Sequence, residues 1–403
     1  MASKSHSTLI LPFADRAELP NTPSLATYLL SLISIKRSNL CVSADVYTTY
    51  DLFTIAEEVG DYICVLKTHA DIIDDFSERT IKGLQEIAER KRFLLFEDRK
   101  LGDIGNTVQS QYTRGPLAIA TWAHLTNAHL LPGPAMITAL HSAATQTLTS
   151  LNQSVDTTIS VGTPISTPNV GNDSNPLDSA VTTTTTTSDS VKPAESSASR
   201  SSSETLEPQT LFSHHRRKGR ADSLTMATTT ISQTFESTSP RQPASLIHAI
   251  PQGDNDAPHD KATALEKLGP PPHARGLLLL AEMSSVGNLM TKEYTQACVK
   301  AARDNRQFVL GFVSQRSLNS EADDMFLSFA PGVGLPGEGE ADGVIKSDGK
   351  GQQWRSPKEV IGTDGIDVII VGRGILGQVD RAKEAERYRK AAWEAYEGRI
   401  AGR

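Results

Sequence analysis

Eight short apolar runs, separated by stretches of helical periodicity, constrain this chain more than any other feature. They fall at residues 40–46, 62–67, 92–98, 124–128, 276–281, 308–313, 325–330 and 367–371. Such continuous runs mark strands buried on both faces, as in a parallel sheet. Helical spacing runs through 52–59, 81–90, 291–303 and 357–362 between them. Eight strands alternating with helices over about 250 residues predict an α/β fold, a closed (β/α)8 TIM barrel. A doubly wound open sheet shares that alternation. The strand ends separate the two. In order they carry Asp45, Lys67-Thr68-His69, Asp98-Arg99-Lys100, Asn127-Ala128-His129, Glu282-Met283-Ser284, Gln315-Arg316, Pro331-Gly332-Val333-Gly334 and Gly372-Arg373-Gly374. An open sheet concentrates its site at one switch point, whereas a barrel draws on the C-terminal ends of many strands. Eight decorated ends predict a ring.

Composition sets the limits of this barrel. Of 403 residues, 38% are hydrophobic and 5% aromatic, low for a wholly packed chain. The shortfall is local. From 151 to 260, 37 of 110 residues are Ser or Thr, and the only aromatics are Phe212 and Phe235. Such a stretch cannot bury enough apolar area to offset the entropy of ordering, so disorder is expected. Closure cost grows only logarithmically with loop length, so a barrel tolerates the insertion. The expected organisation is an N-terminal segment and helix at 1–38 and strands one to four at 39–147. A disordered Ser/Thr-rich insertion follows at 148–272, then strands five to eight and a C-terminal helix at 273–403. A smaller insertion rich in Gly and acidic residues is expected at 335–350. The basic run at 214–220 reads as solvated charge.

A formal net charge of −7 gives no electrostatic case for nucleic acid or an anionic membrane. Three scattered cysteines, Cys41, Cys64 and Cys298, suit neither a disulfide framework nor a zinc site and fit a reducing compartment. Residues 1–20 lack the apolar stretch of a secretory signal, and no run of about 18 apolar residues spans a membrane. The expectation is a soluble cytoplasmic protein.

The densest chemistry lies in Phe96-Glu97-Asp98-Arg99-Lys100-Leu101-Gly102-Asp103. Period two puts Leu94, Phe96, Asp98 and Lys100 on one strand face. If that face looks inward, a carboxylate and an ammonium meet at the barrel mouth. Asp103 follows past the strand end, and Lys67 ends the adjacent strand. Buried charges need partners, and alternating Asp, Lys and Asp supply a compensated network. A surface ion-pair cluster has the same spacing, so spacing alone leaves both readings open. The glycines around Arg373 and after Pro331 follow strands eight and seven, where barrels often bind phosphate. Glycine lets backbone N–H groups approach an anion, and arginine adds a bidentate contact. His69 and His129 lack metal-ligand spacing and read as hydrogen-bonded structural residues.

Together these motifs resemble the orotidine 5′-phosphate decarboxylase family. Phe93–Val108 (FLLFEDRKLGDIGNTV) is similar to its signature. The segments LKTH at 66–69, LTNAH at 125–129, AEMS at 281–284, APGVG at 330–334 and VGRG at 371–374 resemble its other landmarks, in order. The match covers about residues 35–147 and 273–395, and filamentous-fungal members tend to carry a long insertion between these halves. The resemblance implies decarboxylation of orotidine 5′-monophosphate to uridine 5′-monophosphate, the last step of pyrimidine nucleotide synthesis. It implies no cofactor, no metal, and a homodimer with active sites at the interface.

By motif, Lys67, Asp98 and Lys100 match one subunit's charge network. Asp103, with Ile104 and Thr107 beside it, matches the aspartate that reaches the partner's site. Asp45 matches the ribose-binding aspartate and Ser284 the serine at the pyrimidine edge. Pro331 joins the substrate-binding set, and Gln352, Gly372 and Arg373 match phosphate contacts. Two departures stand out. Trp354 occupies a position where the family usually has tyrosine, and Leu101-Gly102 replaces a commoner Phe-Ala. Two rival readings share some of these features. One is a magnesium-dependent sugar-phosphate decarboxylase or aldolase on the same barrel, and the other is a non-catalytic phosphate-binding scaffold.

Overall fold

The computed structural model describes residues 6–151, 153–160, 230–237, 258–285, 287–336 and 354–402. The chain divides into two compact units, Met1–Leu151 with Ser239–Arg403, and Asn152–Thr238. In the first unit eight parallel strands close into a barrel. They are β1 (Leu40–Ala44), β2 (Val65–Thr68), β3 (Leu94–Leu101), β4 (Leu125–Ala128), β5 (Gly276–Leu280), β6 (Val309–Val313), β7 (Leu327–Ala330) and β8 (Val368–Val371). Each pairs with its sequence neighbours, and β8 returns to β1 with Ile369 opposite Leu40. Closure excludes the open sheet. All eight strands lie on the apolar runs, because in a closed barrel both faces are covered.

The ends of two strands differ from the sequence pattern. β2 begins at Val65, since Tyr62 lies in a turn with its N–H bonded to Val59 O at 2.9 Å. β3 runs on to Leu101, through a shift of register against β4. The helices α1 (Ser24–Lys36), α2 (Thr49–Val59), α3 (Glu78–Lys91), α4 (Gly105–Thr113), α5 (Ala135–Leu151), α6 (Pro258–Leu268), α7 (Lys292–Asp304) and α8 (Arg381–Ala401) accompany the strands. The Thr48 side chain accepts the Asp51 N–H and caps α2. The helical stretch near 357–362 is a π-helix, Lys358–Thr363.

The stretch expected to be a disordered insertion, 148–272, has structured edges. At its near edge α5 continues to Leu151, and at its far edge α6 places Leu265 and Leu268 against the core. In the second unit Gln153–Ser160 pairs antiparallel with Thr230–Ser237. Averaged composition hides such local segments. Residues 161–229 and 238–257, including the basic run at 214–220, lie outside the described residues. So do 337–353, most of the smaller insertion.

The N-terminal end of the barrel is sealed. Buried Arg16 grips Asp367 through two bonds, Nη1 to Oδ1 at 2.5 Å and Nη2 to Oδ2 at 3.2 Å. Buried Lys36 donates to the carbonyls of Gly60, Lys91 and Arg92 at 2.7, 3.0 and 2.8 Å. Inside the barrel, Phe96 of β3 meets Phe329 of β7 edge to face, with centroids 6.2 Å apart. These strands stand opposite one another in the ring, so the two rings fill its centre. A cavity opens at the C-terminal mouth.

This packing generates a stability prediction. Phe329→Ala should cost about 3–5 kcal/mol, because the sealed barrel cannot collapse onto the cavity. Denaturant unfolding measures this, and a loss below about 1 kcal/mol would contradict a close-packed centre.

Candidate active site

The open mouth holds a cavity of about 470 Å³ above Phe96. One wall is charged. Asp98, on the inward face of β3, is 11% exposed and receives four donors. Its Oδ2 accepts Lys67 Nζ at 2.8 Å and His69 Nε2 at 3.1 Å. Its Oδ1 accepts Lys100 Nζ at 2.6 Å and Asn127 Nδ2 at 2.7 Å. Burial alone would raise its pKa. The His69 hydrogen bond and the ammoniums of Lys67 and Lys100 outweigh burial and hold it well below the usual carboxylate range. Lys67 is only 7% exposed and Lys100 37%, so Lys100 is the ammonium an incoming molecule can reach.

Asp45, past the end of β1, extends the network. Its Oδ1 accepts His69 Nδ1 at 2.8 Å and the Ser43 hydroxyl at 2.7 Å, with Lys67 Nζ at 3.8 Å. Against burial, these partners lower its pKa strongly. His69 thus donates from both ring nitrogens to carboxylates. Burial opposes its charge, but the Asp45 and Asp98 bonds prevail and raise its pKa to about 9. At neutral pH it is an imidazolium.

The turn carrying His69 is braced from behind. Glu97 alternates to the outward face of β3 and is fully buried. Its carboxyl accepts the Thr68 hydroxyl at 2.6 Å and the Ala70 N–H at 3.0 and 3.1 Å. Burial, partly offset by these bonds, pushes it up to about 7.

The wall after β7 and β8 carries the Arg373 guanidinium. Gly372 opens the turn after β8, and a Cβ there would approach Asp45 Oδ2 and Ser43 Cβ at 3.4 Å. The Arg373 guanidinium lies 5.9 Å from the centroid of the Trp354 ring. Trp354 is positioned by a short bridge between Val333 and Arg355, with Arg355 N–H bonded to Gly332 O at 2.9 Å. Gly332 has φ of +77°, which glycine adopts without steric cost.

Of the site residues named from sequence, eight line this one cavity: Lys67, Asp98 and Lys100, Asp45, Ser284 and Pro331, and Gly372 with Arg373. Three do not. Asp103, Ile104 and Thr107 lie at the start of α4, where the chain has turned away from the cavity. The Asp103 carboxylate accepts Ile104 N–H at 2.8 Å and Gln111 Nε2 at 3.3 Å. Gln352 lies outside the described residues. Trp354, in place of the family's tyrosine, lines the cavity. His69, expected from spacing to be structural, joins the two aspartates of the site. The sequence reading missed Asn127 and Glu97. Alternation on β3 puts Glu97 behind the wall, but only the fold shows what it braces.

Comparisons with known proteins agree on one family. The profile described as the Orotidine 5′-phosphate decarboxylase / HUMPS family matches residues 38–197 and 229–388. An orotidine 5′-phosphate decarboxylase of Hypocrea atroviridis is 41% identical over 404 residues, 98% of this chain and 99% of the relative. One of Hypocrea jecorina is 41% identical over 403 residues, with the same coverage. One of Aureobasidium pullulans is 38% identical over 393 residues, 98% of this chain and 96% of the relative.

The imidazolium of His69 predicts a pH dependence of stability. Its folded value of about 9 lies above the ordinary 6.5, so protonation favours the fold. The contribution is fully present below about pH 6.5 and is lost as pH rises through about 9. The Tm gap between wild type and His69→Gln should therefore narrow from about pH 6 to about pH 9.5. A constant gap would contradict a charged His69.

Proposed function

The chain belongs to the orotidine 5′-phosphate decarboxylase family, and from this we propose how its mouth converts orotidine 5′-monophosphate to uridine 5′-monophosphate. The chain is a carboxy-lyase of pyrimidine nucleotide synthesis. The observation that supports the division of labour is the reachable Lys100 ammonium, 2.6 Å from an ionised Asp98 that is 11% exposed.

Breaking the carbon–carbon bond releases carbon dioxide and leaves the electron pair on a ring carbon with no good electron sink. An ammonium at that carbon stabilises the developing charge and then gives up a proton, forming the new C–H bond. Lys100 is the donor in this reading, and solvent reprotonates its amine. Lys67 and Asp98 hold it in place. Asp98 near the departing carboxylate also disfavours the bound substrate relative to the product. Asp45 receives the ribose and Ser284 the pyrimidine edge, with Pro331 lining the same pocket. Gly372 and Arg373 grip the phosphate, with Gln352 assigned there by motif. Binding energy at this remote end is available to lower the barrier at the reacting carbon. Neither a metal nor a cofactor enters this scheme.

Two observations support a homodimer that completes the site. Within one chain Lys67, Lys100 and His69 carry three positive charges against two on Asp45 and Asp98. Asp103 of a second copy would neutralise the excess. Large apolar side chains stand exposed in the segments that follow β1 to β4: Tyr47, Tyr50, Ile72, Ile104 and Leu131. Exposed large apolar side chains are what an interaction surface would present. Ile104 and Thr107 accompany Asp103 across it. Among the described residues no helix is long and apolar enough to cross a membrane.

Subunit exchange tests both the chemistry and the shared site. Lys100→Ala and Asp103→Ala should each lose at least about 1,000-fold in kcat alone, with nucleotide binding retained. Mixed dimers contain one site with both residues and one with neither, so mixing should restore activity towards half per dimer. Retention of more than about a tenth of activity by Lys100→Ala would sink its role as proton donor. Verified exchange without recovery would show that Asp103 does not act across an interface.

A further inference from the structure

The Asp98–Lys100 pair is tied together by a residue of the neighbouring strand. β3 and β4 pair at Glu97 with Thr126 and again at Leu101 with Ala128. Between these points Asp98, Arg99 and Lys100 stand against Asn127 alone. The bulge leaves Lys100 with φ of +50°, a left-handed backbone that a residue with a Cβ rarely adopts. Its N–H donates instead to Asn127 Oδ1 at 2.7 Å. The other end of the same amide, Nδ2, donates to Asp98 Oδ1 at 2.7 Å. That oxygen also accepts Lys100 Nζ. The ring closes from the Lys100 backbone through the Asn127 amide and the Asp98 carboxylate to the Lys100 ammonium.

We propose that Asn127 is a positioning residue for decarboxylation, holding the β3 bulge in the one conformation that aims Lys100 at the substrate. Asn127 is buried, and both ends of its amide have partners of the required sign. A carboxylate there would face Asp98 with like charge, and an alanine would leave the Lys100 N–H and one Asp98 lone pair empty. Bulges aim side chains. Releasing this one lets Lys100 leave the reacting carbon while the phosphate and ribose contacts stay in place. The loss should therefore fall on kcat rather than KM. The inference rests on the assignment of Lys100 as proton donor.

The test uses the full-length protein and two variants. Asn127→Ala should lower kcat by about 100-fold, the scale of a misplaced catalytic group, and change KM by less than about threefold. Asn127→Asp is nearly isosteric and adds a chemical readout. Protonated, its carbonyl accepts the Lys100 N–H and its hydroxyl donates to Asp98, which restores both bonds. Ionised, it can no longer donate to Asp98, and the two like charges repel across the bond that the amide makes. The groups facing it are Asp98 and Lys100 on β3, Lys67 and His69 beyond them, and His129 at its own strand end. The β5 residue opposite it, Leu278, is apolar.

The kcat of Asn127→Asp relative to wild type at the same pH should approach one on the acid side. As the new carboxyl ionises the ratio should fall, by up to about tenfold per pH unit. A ratio flat with pH, high or low, overturns the proposal. So does an Asn127→Ala enzyme with kcat within about threefold of wild type. If the alanine variant fails to fold, the pH ratio still decides. A wild-type chain without decarboxylase activity overturns the parent reading as well, whereas an active wild type with a flat ratio overturns only the role of Asn127.

Discussion

A carboxylate under the mouth of a barrel is stable only when its lone pairs are filled, and Asp98 is filled by four donors from three strands and a turn. Lys67 comes from β2, His69 from the turn after it, Lys100 from β3 itself and Asn127 from β4. Removing any one leaves a buried charge short of a partner, a costly condition in a low-dielectric site. The reciprocal holds as well. His69 stays charged because Asp98 and Asp45 stay ionised, and the Glu97 bonds to Thr68 and Ala70 exist to keep His69 in reach of both. The chemistry of the mouth therefore depends on how the ladder between β2, β3 and β4 is drawn.

The barrel separates stability from activity along its axis. Arg16 on Asp367 and Lys36 on three carbonyls close one end, and Phe96 against Phe329 fills the middle. The other end carries the charged cavity. A left-handed Lys100, glycines at 332 and 372, and exposed apolar residues after β1 to β4 all lie there. A rigid frame tolerates such local costs where they serve a site.

Much of this was legible in the sequence, for reasons that can be named. Strands buried on both faces write themselves as apolar runs, and all eight runs became strands. The charged wall was legible through period two on β3, which put Asp98 and Lys100 on one face. Three features were not. The bulge depends on how β3 meets β4, and no pattern within 92–98 announces that the strand runs on to Leu101. Asn127 gains its role only through that bulge. Within the Ser/Thr-rich region, a composition averaged over 110 residues concealed the β-branched alternation of Val155, Thr157 and Ile159, which lies in a paired strand.

In the proposed reaction carbon dioxide leaves orotidine 5′-monophosphate, and an ammonium held by Asp98, without help from a metal, stabilises and protonates the carbon left behind. The most direct measurement follows the loss of orotidylate absorbance by the purified full-length chain in excess chelator, with product identified by chromatography. The account predicts stoichiometric uridine 5′-monophosphate and carbon dioxide at a rate unchanged by the chelator. No conversion, or conversion abolished by chelator and restored by magnesium, would contradict it.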